Sequence, residues 1–458
     1  MSTALALVPL AVFALAASRG LAHLASAALA GAAVAAVIAT GVAGFPPAAI
    51  PRALWIALPM CAVIFAGVLL REVAPPKVEP HAETDPRAVH RRLFVACFLL
   101  GPFFECAVGF GIGAMFALPF IFAARRAGAN AAALAMLTQC LVPWGALALG
   151  PMGSADIAGV PALAVGKATV DALIFTLPPF LLAFWWLVRD LDVPWAQRVE
   201  DAVWLVALWA VLDFVGDRAT PDAAGIASCA AVASLRLLWD ERPDPAAILR
   251  VAREYWPYVA LTLALVASRM VPEFGTVTKA WTIPTAPGLP DFAPLHHASF
   301  WLLLVAALAS RGRLPPMAAL WAQSKRALFA TSAFVLFGEM LAQGGFAEAL
   351  VRGFEAAAGE AAIAVIPILA ILGGAGTGSA LAASAVNLPL TLPLMGEDKL
   401  PAIGAHVAVA AAFTALSPGR VVLVAGLARL DTASVYRALV PLAVASILAA
   451  ALLFFFGV

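Results

Sequence analysis

Glu105 and Arg420 are charged residues set inside long apolar stretches, each beside a sequence that breaks helices. Glu105 opens ECAVGFGIGAMF (Glu105–Phe116), ahead of Gly109, Gly111 and Gly113. Arg420 closes LSPGR (Leu416–Arg420), three residues after Ser417. Two further stretches break an apolar context with small or polar residues. TQCLVPWGA (Thr138–Ala146) holds Gln139 and Trp144 around Pro143, and GGAGTGSALAAS (Gly373–Ser384) holds Thr377, Gly378, Ser379 and Ser384. These residue types suit the handling of an anion. A guanidinium matches a carboxylate in a two-pronged hydrogen bond. Glycine and serine let a ligand approach the backbone, and interrupted helices offer free N–H groups and positive helix ends. A carboxyl group at membrane depth is a functional hypothesis by default, as a proton carrier. It can equally serve as a cap on adjacent N–H groups.

The elements that must hold these residues are membrane helices. Of 458 residues, 63% are hydrophobic and 12% charged, and the mean hydropathy is +0.97. A soluble domain carries about 25% charged residues, so this chain cannot cover itself with a polar surface. Many apolar runs approach the roughly 20 residues that span a bilayer. The fold class is therefore all-α, a polytopic helical membrane protein. A net charge of +1 argues against a nucleic-acid partner. Cys61, Cys97, Cys106, Cys140 and Cys229 all lie in apolar segments without a CxxC pair, which points to neither a disulfide frame nor a zinc site. No metal or other cofactor is expected. The opening MSTALALVPLAVFALAAS lacks a positive leader and reads as a first helix.

Positive residues orient the chain. Helices near 3–17, 22–44 and 53–71 lead to a polar loop, 72–92, holding Lys77, Arg87, Arg91 and Arg92; it is placed inside, which puts the N-terminus outside. Leu93–Ala124 is too long for one span and is interrupted by Gly101-Pro102 and the glycine run. It is expected to enter, turn at ECAVGFGIG and return toward Arg125 and Arg126. A broken span at 129–150 and a helix near 160–188 follow. Helices near 201–215, 222–237, 255–272, 299–310 and 327–343 come next, with an inner loop at 238–254, an outer loop at 273–298 and an amphipathic stretch near 346–358. Ala361–Met395 is a second hairpin, 401–428 a second broken span, and a last helix covers 438–456. This scheme places 20 of the 28 Lys and Arg inside; Lys167, Arg269 and Arg420 fall within spans.

Hairpin, charged turn and broken helix thus occur twice, the first set entering from inside and the second from outside. Their legs of 12 and 11 residues match. Such inverted repeats are the usual build of secondary transporters, and irregular backbone at membrane depth is tolerated where protein or a water-filled cavity satisfies it. The expected organisation is N-terminal scaffold helices (1–90), a first repeat core (91–190, hairpin 93–124, broken helix 129–150), middle scaffold helices (191–318) and a second repeat core (319–458, hairpin 361–395, broken helix 401–428). Glycines that merely pack helices would account for one such run; two matched runs beside proline-broken spans favour a site.

At these residues the chain resembles the lactate permease family of bacterial monocarboxylate transporters. FFECAVGFGIGA (Phe103–Ala114) stands where the family reads approximately FLEGAAGFG. TQCLVPWGA stands at its Asn-Thr, Pro and Phe-Gly-Ala motif, TGSALAAS (Thr377–Ser384) at its TGS and polar run, and SPGRVVLVAG (Ser417–Gly426) at its SPQ helix. Order and spacing agree over about 90–190 and 320–458. The resemblance implies proton-driven symport of lactate, glycolate or similar 2-hydroxy monocarboxylates in a bacterial inner membrane. It also implies kinship with the ion transporter superfamily, whose mobile domain moves elevator-like against a scaffold that often forms a homodimer. The partners implied are a small organic anion, a proton and the lipid bilayer, and the chain is not expected to be an enzyme. The sequence departs from the pattern where Ala-Leu-Ala-Ala replaces the polar run, Thr414 stands for a Lys and Gly419 for a Gln; Arg420 supplies a cation.

The expected substrate-binding set is Gly109, Gly111, Gln139, Trp144, Thr377, Gly378, Ser379, Ser384, Ser417 and Arg420, with Glu105 as the coupling residue. Lys167 and Asp171, four apart, read as an ion pair within one helix. Glu339 and His406 fall near outer span ends and read as structural. Sodium coupling, a channel and a membrane-embedded enzyme are the alternatives. The enzyme lacks a Gly-x-Ser-x-Gly elbow or HExxH motif, and the channel lacks a ring of charges.

Overall fold

In lipid a chain must satisfy its own backbone polar groups, and a chain this rich in alanine and leucine does so as helices. The computed structural model describes residues 1–17, 24–42, 44–75, 85–109, 111–124, 126–285 and 291–456. Lys77, Phe110 and Arg125 lie outside the described residues, as does 286–290 of the expected outer loop. Among the described residues there is no strand beyond a single bridge between Ile283 and Phe292. Six helices are long and apolar enough to cross a membrane, or nine if each sharply bent pair counts as one span. The chain is thus a helical membrane protein.

The first third runs α1 (Thr3–Ala17), α2 (Leu24–Val42), α3 (Ala49–Val73), α4 (Pro86–Val95), α5 (Gly101–Val108), α6 (Ile112–Ala123), α7 (Gly128–Met136), α8 (Gly145–Ala158) and α9 (Ala162–Leu187). A π-helical turn, Ala96–Leu100, joins α4 to α5 without a break. This corrects two expectations. The loop 72–92 already turns helical at Pro86, where Asp85 caps the first turn by accepting the Ala88 N–H. The leg leading to the glycine run is therefore 23 residues long, Pro86–Val108, and does not match its 12-residue return, α6. Gly101-Pro102 fails to interrupt it because the wider π turn ahead of Pro102 relieves the clash of the proline ring with the preceding carbonyl. α6 packs back along α5 and reaches α4.

The middle holds α10 (Trp195–Gly216), α11 (Pro221–Glu241), α12 (Pro245–Glu254), α13 (Trp256–Met270), α14 (Pro272–Lys279) and α15 (Ala298–Ser310). α12 and α14 are helical where loops were expected. The last third holds α16 (Met317–Gln343), α17 (Phe346–Ala358), α18 (Val365–Thr377), α19 (Ala380–Thr391), α20 (Leu400–Thr414), α21 (Pro418–Ala428), α22 (Thr432–Ala438) and α23 (Val440–Phe456). α16 begins ten residues before the expected 327 and so includes Lys325 and Arg326. α18 and α19 pack side by side around a turn at Gly378 and Ser379, as the second hairpin was expected to. α16 packs on α2, α3 and α19, whereas α9 packs on α20 and α23.

The three basic residues placed within spans are each paired with a carboxylate. Lys167 binds Asp213 of α10, with Asp171 at 3.4 Å and Asp217 at 3.7 Å, so the expected pair is part of a larger group that ties α9 to α10. Arg269 at the end of α13 binds Asp222 at the start of α11, and Arg420 binds Glu105. The Asp222 and Arg269 side chains are only 4% and 3% exposed. Removing one member of such a pair strands the other charge, at about 3–5 kcal/mol. Asp222→Ala is therefore expected to lower the thermal unfolding midpoint sharply, and Asp222→Ala/Arg269→Leu to recover most of the loss. Equal midpoints for wild type and Asp222→Ala would contradict this. Nearby, in the segment leading into α15, burial pushes His296 and His297 down to about 4, so both are neutral at pH 7.

Candidate functional site

Two breaks and two turns meet. The first break is built by Pro143, which has no N–H to give. A tight 3-10 segment, Leu137–Trp144, replaces the α-helix there. The expected span 129–150 instead continues to Ala158, because α8 resumes after a left-handed turn at Ala146, Leu147 and Ala148 (φ 51°, 55° and 57°). Left-handed backbone costs a residue with a β-carbon about 1–2 kcal/mol. Strain of this kind gathers at functional sites. The second break lies at Ala415–Ser417, where Ser417 caps α21 and Pro418 occupies its first turn.

The turns need glycine. Gly109 ends α5 with φ 76°, and a β-carbon there would stand 2.6 Å from Cβ of Ala146. Gly378 ends α18 with φ 68°, and a β-carbon there would lie 2.6 Å from the Ser417 hydroxyl. Each turn is thus pressed against one of the breaks.

Arg420 ties these pieces together. Its Nε donates to the Gly378 carbonyl at 3.0 Å and its Nη1 to Glu105 Oε1 at 3.1 Å. Glu105 lies in the last turn of α5, four residues before Gly109, and its side chain is 1% exposed. It also accepts the Gly111 N–H at 3.3 Å and the Gly113 N–H at 3.0 Å, which belong to the start of α6. The carboxylate therefore caps α6, as one of the two roles weighed for it requires, and also pairs with Arg420. No hydrogen bond to Arg420 Nη2 occurs among the described residues.

A cavity of about 250 Å³ opens on this pair. Of the expected residues, Glu105, Gly109, Thr377, Gly378, Ser379, Ser417 and Arg420 line it. The N-termini of α19 and α21 open on it through their caps, Ser379 and Ser417. A small anion here would meet one guanidinium and two positive helix ends.

Four expected residues do not line the cavity. Gly111 stands behind it, donating to Glu105. Gln139 is buried in the 3-10 segment with its amide donating to the Thr138 hydroxyl at 3.1 Å. Trp144 turns away and packs on Gly225 of α11, so it fills a gap between elements. Ser384 is buried one turn too far along α19. Alternation along a helix decides this: only one side of each segment can face the cavity. Glu339 pairs with Arg52 at 3.0 Å, and His406 is buried in α20, both off the site as expected. Thr414, at the position where a lysine was looked for, bonds its own helix at the Ala411 carbonyl.

Besides neighbours of the expected residues within the breaks and turns, such as Ala146 and Leu381, two lining residues come from elements not expected at the site at all, Ile64 of α3 and Thr331 of α16. Both sit in unbroken helices, where only a Thr331-Ser332 pair in an apolar run offered a signal. A larger groove of about 510 Å³ runs between α9 and α22–α23. Its lining holds two arginines, Arg189 and Arg437, but no carboxylate to pair with them, so size alone does not mark the site. The chain matches no known protein family and none of the curated proteins.

Proposed function

We propose that this chain is a proton-coupled symporter of small organic monocarboxylates of the 2-hydroxy acid type, and a divergent relative of the lactate permease family. The observation that carries the reading is the Arg420–Glu105 pair facing a cavity of about 250 Å³ where two helix turns and two helix breaks converge. The four segments quoted for the resemblance are the four that meet there. On this reading α4–α6 and α18–α19 are re-entrant hairpins of inverted repeats. They move with the broken helices against a scaffold that includes α2, α3 and α16, in a bacterial inner membrane with the N-terminus outside.

Charge balance supplies the coupling. Arg420 and Glu105 together are neutral. A substrate carboxylate taking Nη2 of Arg420, and then displacing Glu105 from Nη1, leaves one excess negative charge at membrane depth, where desolvation makes charge costly. A proton on Glu105 restores neutrality. Arg420 then exchanges one carboxylate partner for another, and proton and anion cross together.

Uptake into proteoliposomes tests this. With an inward proton gradient, saturable accumulation of lactate or glycolate is expected, at a rate indifferent to sodium. Accumulation driven by sodium alone overturns proton coupling. Equilibration without accumulation under either gradient overturns symport in favour of a channel or uniporter.

A further inference from the structure

Four side-chain hydroxyl groups line the cavity, and three of them are held by their own segments. Thr377 Oγ1 donates to the Gly373 carbonyl at 2.7 Å and accepts the Ser379 N–H at 3.2 Å. Ser379 Oγ accepts the Ala382 N–H at 3.2 Å, and Ser417 Oγ accepts the Arg420 N–H at 3.5 Å. The two serines can still donate a proton toward an anion. Each already accepts one N–H as a cap, and the Gly378 carbonyl already accepts Arg420 Nε. Thr331 differs. Among the described residues its hydroxyl makes no hydrogen bond, and it is half-buried with the cavity beside it. It also stands on α16, an element separate from the turns and breaks that hold the charge pair.

We infer that Thr331 is a specificity-determining residue: it accepts a hydrogen bond from a hydroxyl group on the substrate whose carboxylate is held by Arg420. The inference rests on the carboxylate-carrier reading above and deepens it. A hydroxyl oxygen can accept as well as donate, so it fits an alcohol that must itself donate. The same cavity is also lined by the apolar side chains of Ile64, Leu381 and Leu423, which suit a short alkyl substituent. A substrate lacking the hydroxyl forgoes that bond, whereas a hydroxylated substrate facing valine loses its partner inside the cavity. Because α16 lies outside the proposed mobile unit, the contact also reports the state in which that unit faces it.

Lactate and propionate differ only in the 2-hydroxyl, which makes them the probes. Calorimetric titration of the full chain in nanodiscs is expected to show lactate bound about tenfold more tightly than propionate. Thr331→Val, which keeps the shape and removes the hydroxyl, is expected to bring the two affinities together by weakening lactate alone. Thr331→Ser is expected to restore the preference. An unchanged lactate-to-propionate ratio in Thr331→Val overturns the assignment while leaving the carboxylate carrier standing, and so does equal binding of both acids by the wild type. Binding of neither acid by the wild type overturns the carboxylate reading, and this assignment with it.

Discussion

Arg420→Ala is expected to lose carboxylate binding by a factor of at least about a hundred and to destabilise the protein at the same time. The guanidinium is the cation of the cavity, and hydrogen bonds to charged groups contribute about 1.5–3 kcal/mol each. Its removal also strands Glu105, whose side chain is 1% exposed, with only the Gly111 and Gly113 N–H groups for support. An uncompensated buried charge costs about 3–5 kcal/mol. A lysine cannot repair this, because one ammonium on a flexible stem does not reach the Gly378 carbonyl and Glu105 in the fixed fork that Arg420 uses. Arg420→Lys should therefore keep part of the stability and lose most of the binding. The double variant Arg420→Gln/Glu105→Gln separates the two effects: it removes both charges and is expected to recover most of the unfolding midpoint without recovering binding. Titration with lactate and thermal unfolding read the two quantities. Wild-type affinity in Arg420→Ala would refute the role of this residue.

The strain in the wall of the cavity bears on the same step. Ala146, Leu147 and Ala148 hold left-handed backbone, and Ala146 abuts Gly109 at the end of α5. The segment that supports the first turn is thus not in its lowest local conformation. The cost is borne by packing, since all three residues are buried. On the carrier reading proposed above, strain held in this way is of the kind found at sites that must change conformation.

How much of this was legible in the sequence differs from residue to residue. Glu105, Gly109, Gly378 and Arg420 stand out because each breaks a rule of apolar helices, by charge or by missing side chain, and all four meet at the cavity. That Glu105 and Arg420, 315 residues apart, are partners follows from no local pattern. Only the placing of both beside breaks that must share one polar volume suggested it. Thr331 was invisible for the opposite reason: it sits in an unbroken helix and obeys every local rule. Trp144 and Gln139 were drawn into the expected site because they flank Pro143, but nearness to a break in sequence does not say which side of the chain faces the cavity. The unequal legs of the first hairpin turn on the π turn at Ala96–Leu100, whose widening no composition announces. The element boundaries beside capped starts, as at Asp85, could have been read from the Asp-Pro pair.

Glu105→Gln is expected to uncouple transport from protons, at a cost in stability because Arg420 loses its counter-charge. Glutamine has the same shape, and its carbonyl oxygen can still accept a backbone N–H from the start of α6. It carries no charge to compete for Arg420, whose Nη1 is then released for the substrate. Carboxylate binding should be kept or tightened. Exchange of labelled for unlabelled lactate across the membrane should continue, whereas accumulation against a gradient should vanish, because no group remains to carry the proton. The two ligands are linked: if one proton binds with one anion, lactate affinity in the wild type falls as pH rises, by at most about tenfold per pH unit. In Glu105→Gln that dependence is expected to flatten. A carboxylate that only capped α6 and paired with Arg420 would leave accumulation and the pH slope unaltered in this variant. Proton-driven accumulation at the wild-type level in Glu105→Gln would therefore sink the coupling role and leave the cap.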